Sequence, residues 1–253
     1  MASPRQKGFL KLKKGSLGDT TFIQSKDGYR AREKKPGNKK RWKLSPKYKK
    51  QRNRAGEFTY IAVTAKLVRR SIKRDIPRDK DGEMQLKLLS HISKMLNLDK
   101  VHQLGERILL PENLVKFIGF EFNSGRNLKA AFNWRFNTTV NNETGEVTIV
   151  IPSFIPADRV HPPKGATHFR FITIAAKIDF TNKTYKSKSS SSEKLLLDET
   201  PTPDLTFLNG LPTDNSLPVF VFLGLEFTNE MGTTSFAVAN QKMNPMCLVD
   251  VVV

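Results

Sequence analysis

Apolar residues recur along the chain with two spacings. Between about residues 45 and 98 they return every third or fourth position, and after Pro111 every second. Phe58, Ile61, Ala65, Val68 and Ile72 form one stripe, the face that an amphipathic helix buries. Ser45 suits the cap and Pro46 the first turn, while Pro77 forbids continuation, so this helix is predicted from Ser45 to about Arg74. Its first turns carry Lys47, Lys49, Lys50, Arg52 and Arg54, with only Tyr48 and Ala55 to bury, and are expected to stand clear of the body. A second helix is predicted from Gly82 to Leu98, with Leu88, Ile92 and Met95 on one edge of its stripe and Met84, Leu89 and Leu96 widening it. His91 borders that stripe and reads as structural.

Period-two segments lie at 118–122, 147–151, 168–180, 219–227 and 246–253, each predicted as a strand. Turn signals at Asn141 to Gly145, Pro162 to Gly165, Thr181-Asn182 and Thr213 to Ser216 separate them. The run Val219 to Leu223 is apolar at every position, as in a strand covered on both faces. Residues 8–33 read as a small β element: Phe9 to Lys13 alternates, Gly15 to Gly18 turns, Thr20 to Ile23 extends, and Asp27-Gly28 offers a hairpin turn before Tyr29 to Arg32. Ser187 to Ser192 reads as a flexible low-complexity loop. The fold class is therefore α+β. A basic hairpin and first helix (1–80), a second helix with its connection (81–110), and an antiparallel β-sandwich or jelly-roll-like body (111–253) follow in order.

Charge changes this picture most. The chain has 253 residues and a formal net charge of +19; residues 1–80 hold 26 of the 43 lysines and arginines against 6 acidic residues, so the rest is close to neutral. Phosphate neutralisation with counterion release accounts for such a segment. The expected phosphate partners are Lys34, Lys35, Lys39, Lys40, Arg41, Lys47, Lys49, Lys50, Arg52 and Arg54, with Tyr29, Trp42 and Tyr48 as candidate stacking residues. A solvated basic surface is the plainer alternative, and an anionic membrane surface a third, though no amphipathic helix with bulky anchors accompanies the patch.

Candidate chemistry is sparse. One cysteine builds no disulfide scaffold, and Cys247 sits in an apolar strand pattern where a thiol is an inert small hydrophobe. His91, His102, His161 and His168 are scattered, so no metal or cofactor is expected. Gly15 and Gly18 lack the Gly-Lys-Ser/Thr of a phosphate loop, and no nucleophile elbow or dinucleotide fingerprint occurs. Glu121 and Glu226 occupy a short echo, Gly119-Phe120-Glu121-Phe122 against Gly224-Leu225-Glu226-Phe227, and could face one another only if that echo reflected symmetry. No apolar run is long enough to span a membrane, and Met1 to Lys7 has no secretion-signal core. The expectation is a non-enzymatic protein of a reducing compartment, cytoplasmic or in a virion.

The front end, Gly15-x-x-Gly18-x-x-x-Phe22 with Asp27-Gly28-Tyr29-Arg30, then Ser45-Pro46 and the helix holding Gln51-x-Asn53-Arg54 and Phe58, resembles an uncharacterised protein family of Bacteroidota. In that family a glycine-rich hairpin and a Gln/Arg-containing helix precede a β-rich body. The resemblance implies no activity and no functional residue. In layout alone, a basic arm ahead of a neutral β body is similar to many viral coat proteins, whose arm neutralises packaged nucleic acid while the sandwich assembles. Three functions follow: a structural protein that binds nucleic acid, DNA or RNA, non-specifically and self-associates through its β body; an interaction module of a phage, ribosome-associated or secretion assembly with the basic segment as an ordered arm; or an enzyme on nucleic acid or glycan.

Overall fold

The computed structural model describes residues 15–25, 28–33, 39–73, 82–141, 143–213, 216–231, 234–238 and 243–253. It divides the chain into two compact units, 1–49 and 50–253. In the first, β1 (Gly15–Leu17), β2 (Thr20–Ser25) and β3 (Gly28–Glu33) form an antiparallel sheet in that order. Gly15 is thus in a strand, with the turn at Gly18 and Asp19; Phe9 to Lys13 and Asp27 lie outside the described residues. Helix α1 (Lys39–Leu44) and a 3-10 turn at Pro46–Tyr48 follow. Among the described residues of this unit none is buried. These described residues thus include none of the apolar core that usually stabilises so small an element.

The second unit is α+β. Helix α2 (Lys49–Ile72) begins directly after the Pro46 turn, and α3 (Gly82–Leu96) is followed by a short turn to Leu98. Both helices bury the expected stripes, Ile61, Ala65, Val68 and Ile72 from one and Leu88, Ile92, Met95 and Leu96 from the other. Phe58 and Ala55 are corrections: Phe58 is 62% exposed and Ala55 is exposed. The buried arc of α2 is completed by Thr64, Leu67 and Ser71 instead. Those residues centre the arc roughly a quarter-turn away from Phe58 at 100° per residue. Phe58→Ala is accordingly expected to change stability by no more than about 0.5 kcal/mol, read as an unshifted urea midpoint. Ile61→Ala, in the buried arc, serves as the destabilised control.

The body is strand-rich and antiparallel. Two long strands, β6 (His168–Asp179) and β10 (Val219–Met231), pair from Lys177↔Val219 to His168↔Thr228. β7 (Thr184–Ser191) and β8 (Leu195–Leu196) extend the sheet beside β6; β12 (Met246–Val252) and β11 (Thr234–Ala237) extend it beside β10. A separate sheet has the order β4 (Asn137–Asn141), β5 (Glu146–Ile151), β9 (Leu205–Gly210).

Side-chain alternation gives the large sheet two buried faces. Ile172, Ile174, Ala176, Phe220 and Phe222 share a cluster with α2, α3 and the aromatic trio Phe117, Phe120 and Phe122. Phe169, Phe171, Val221, Leu223 and Leu225 share another with Val147, Ile149 and Ile151 of β5 and Phe207 of β9. Cover on both faces is why the Val219 to Leu223 run is uniformly apolar, as its pattern predicts.

Two local expectations are corrected. Residues 118–122 are not a strand. A 3-10 turn at Val115–Phe117 precedes Gly119 at φ +88°, and pairing with β12 shrinks to a Glu121–Cys247 bridge with its neighbouring backbone hydrogen bonds. The alternation there reflects Phe120 and Phe122 turning into the helix-side core. Ser187 to Ser191, expected as a flexible loop, belongs to β7 and pairs in register with β6. Serine hydroxyls supply what apolar side chains would otherwise supply: Ser190 Oγ lies 2.9 Å from Thr173 Oγ1 and donates to Asn209 Oδ1 at 3.2 Å. Ser192 Oγ, just beyond the strand, accepts from Phe171 N–H at 3.0 Å.

Candidate nucleic-acid interface

Lys39, Lys40 and Arg41 lie on α1, where no residue is buried, and Trp42 between them and Lys43 is 41% exposed. Lys47 is exposed on the 3-10 turn and Tyr48 half-buried. Lys49, Lys50 and Arg54 are exposed on the first turns of α2, with Arg52 half-buried. Lys34 and Lys35 lie outside the described residues, and Tyr29 is placed only as backbone in β3. Three more cations join this set: Lys43, exposed on α1, and Arg30 and Arg32, exposed two apart on β3 and hence on one face of that strand. Lys43 was visible in the charge run; the arginines required the strand assignment.

The arrangement on α2 is electrostatically unfavourable in isolation. Its first turn has no acidic residue, whereas a helix N-terminus favours anions and opposes cations. Lys50 and Arg54 stand four residues apart and Lys49 and Arg52 three apart, spacings at which like charges repel. An anion bound there would relieve both penalties.

The helix carrying these charges is held by a loop between α3 and Pro111. Asn53 Nδ2 donates to Leu104 O at 2.6 Å, Glu57 Oε1 accepts from Gly105 N–H at 2.9 Å, and Tyr60 OH accepts from Leu109 N–H at 3.2 Å. Gly105 is at φ +101°, and a Cβ there would come 2.7 Å from the Asn53 side chain, so only glycine fits. Asp99 organises the loop from within, accepting from the backbone of Val101, His102 and Ile108 and from the His102 ring. Desolvation pushes its carboxyl upward, but the donors, Ile108 first, overcome this and hold it well below the usual carboxylate range.

Elsewhere the candidate groups are dispersed. Glu226 pairs with Arg170 on the neighbouring strand, while Glu121 lies in the irregular segment and bridges to Cys247. The two carboxylates are therefore not equivalent, and the four-residue echo is not a structural repeat. Cys247 is buried, and desolvation followed by the Glu121 charge pushes its thiol up to about 12. His91 Nε2 lies 3.0 Å from Lys116 O and its ring meets Phe117 and Phe120, as a structural histidine would. His102 lies against Asp99, and His168 lies 3.5 Å from Glu230.

Glu121 is perturbed in the opposite direction to Asp99. Desolvation raises it from 4.5 to about 7, against the opposing hydrogen bonds from Leu128 N–H and Cys247. Its folded value exceeds its unfolded one, so the folded state holds the extra proton between those limits. Stability should then fall as pH rises from about 4.5 to about 7 and stay level above. Glu121→Gln is expected to abolish this slope. It should stabilise the chain at pH 8 by about 1–2 kcal/mol, after allowance for solvent screening at a residue that is only partly buried. Urea unfolding at several pH values reads both.

Among the described residues no helix is long and apolar enough to cross a membrane. No protein family, curated protein or solved structure matches the chain.

Proposed function

We propose that this chain is a non-enzymatic structural protein whose basic N-terminal region binds nucleic acid through the phosphate backbone. Its β body makes the protein contacts of a repeating assembly, in the cytoplasm or a virion. The observation that carries the reading is the run from Lys39 to Arg54, with nine lysines and arginines, no acidic residue, and its charge set against a helix N-terminus. A neutral structural role gives no reason to keep that arrangement, whereas a polyanion converts each repulsion into attraction. Contacts to the phosphate backbone carry no sequence information, so affinity is sequence-independent and salt-sensitive. The sandwich or jelly-roll reading enters as the assembly half, supported by the β5/β9 sheet lying on one face of the β6/β10 sheet.

A second reading, an interaction module in a larger machine with the basic segment as an ordered arm, is favoured by Leu44, 70% exposed beside the charges. Acidic protein surfaces would then replace phosphate. The two separate on purification. The nucleic-acid reading expects a raised 260/280 nm absorbance ratio that falls after a high-salt wash, with particles re-forming only when DNA or RNA is returned. A low ratio before the wash, with no assembly on adding either polymer, rejects it.

A further inference from the structure

Two arginines of the body share one tryptophan. The guanidinium carbon of Arg159 lies 4.5 Å from the centroid of the Trp134 ring, and that of Arg135 lies 5.3 Å from it. The ring itself is fixed: it packs half-buried against the core between the two sheets, and its Nε1–H donates to Pro152 O at 3.1 Å. Backbone contacts tie the two segments together. Phe132 and Val160 form a bridge, Asn133 N–H donates to Arg159 O at 2.9 Å, and His161 N–H donates to Ala131 O at 2.8 Å. The fold therefore positions both guanidiniums, leaving little for their flexible stems to decide.

This placement is unfavourable on its own. An indole attracts a cation by only about 0.5–1 kcal/mol at an exposed site, while two like charges beside one ring repel each other. Among the described residues neither guanidinium makes a hydrogen bond or an ion pair. Cations on the large sheet are treated differently: Arg170 pairs with Glu226 and Lys194 with Glu230. Segments 126–135 and 156–164 add Arg126, Lys129 and Lys164 to the two arginines, against Asp158 as their one acid. A positive patch thus stands on a part of the chain whose charge is otherwise close to balanced. Each guanidinium is a planar fork of N–H donors that matches phosphate. Two such forks held on one rigid ring suit acceptors that recur along a backbone, as phosphates do.

We propose that Arg135 and Arg159, held on Trp134, form a second contact for the phosphate backbone of nucleic acid, on the body and outside the basic segment. This rests on the reading of the chain as a nucleic-acid-binding protein and extends it: the body grips the polymer directly and does not serve assembly alone.

The chain holds two tryptophans, Trp42 and Trp134. Full-length protein labelled with fluorotryptophan therefore gives two ¹⁹F resonances, and Trp134→Phe identifies the one of interest. The labelled protein is titrated with a DNA duplex of mixed sequence and, separately, with polyglutamate at equal charge concentration. Anisotropy of a dye on the duplex reports overall binding. The expected result is a Trp134 shift that saturates with the duplex and is absent with polyglutamate. Replacing both arginines, Arg135→Gln with Arg159→Gln, should remove the shift and lower the slope of log affinity against log salt by about 2. Duplex binding by anisotropy with a stationary Trp134 resonance overturns this contact and leaves the basic segment's role standing. No binding by either readout overturns both. An equal shift with polyglutamate overturns the contact as well, because acidic protein would then serve, and so does a shift that persists in the double variant. The wild-type titrations decide the matter even if that variant does not fold.

Discussion

Replacing Lys47, Lys49, Lys50 and Arg54 together by glutamate should reduce affinity for DNA or RNA by about a thousandfold or more at low salt. All four are exposed, and none is hydrogen-bonded to the loop that anchors α2. Each cation that neutralises a phosphate adds about 0.9 to the slope of log affinity against log salt on duplex DNA, so the variant's slope should drop by about 3 to 4. The fold has no reason to suffer. Acidic residues at the first turn of α2 complement the helix dipole, so the variant should melt at or above the wild-type temperature with an unchanged helical signal. Fluorescence anisotropy with unrelated sequences across a salt series reads affinity, slope and sequence independence together. Wild-type affinity retained by this variant at low salt would reject the interface. Loss confined to one sequence would reject its non-specific character.

The secondary structure that periodicity could reveal was legible where one face of an element meets one core. Helices α2 and α3 and strands β5, β6, β10 and β12 fall close to their predicted places. What escaped was structure whose partner lies far away in sequence. β7 has a serine-rich pattern and exists because the edge of β6 offers it a complete ladder, with Thr173 and Asn209 meeting its hydroxyls. β4 and β9 are short strands that flank β5, and neither alternates strongly enough to stand out alone. Residues 118–122 alternate well yet are diverted by Gly119. Phe58 continues a sequence stripe but not the buried arc, because Thr64 and Ser71, polar by type, lie on the buried side. The same limit holds for sites. The charge run was plain from sequence, whereas the burial of Glu121 depends on the 118–122 segment meeting Cys247 of β12 in space.

Phe171→Ala and Phe222→Ala should each cost about 3–5 kcal/mol, a large part of the 5–15 kcal/mol that holds a typical domain together. The side chains lie on opposite faces of the same sheet, and both are fully buried. Phe171 meets the rings of Phe132, Phe154 and Phe169, and Phe207 of β9 at 6.3 Å, so truncation opens a void where the small sheet rests on the large one. Phe222 meets Phe122 at 5.5 Å on the helix side. A sheet covered by another sheet on one face and solvated on the other would give unequal losses, since removing a ring from a wet face leaves no cavity. Here α2, α3 and the Phe117 to Phe122 aromatics complete the second face, and the two losses should be comparable in urea unfolding with unchanged slope. A loss below about 1 kcal/mol at Phe222 would place that face against water. The helix layer would then be a separate element, and the rigid mounting of the basic turns of α2 would lose its basis.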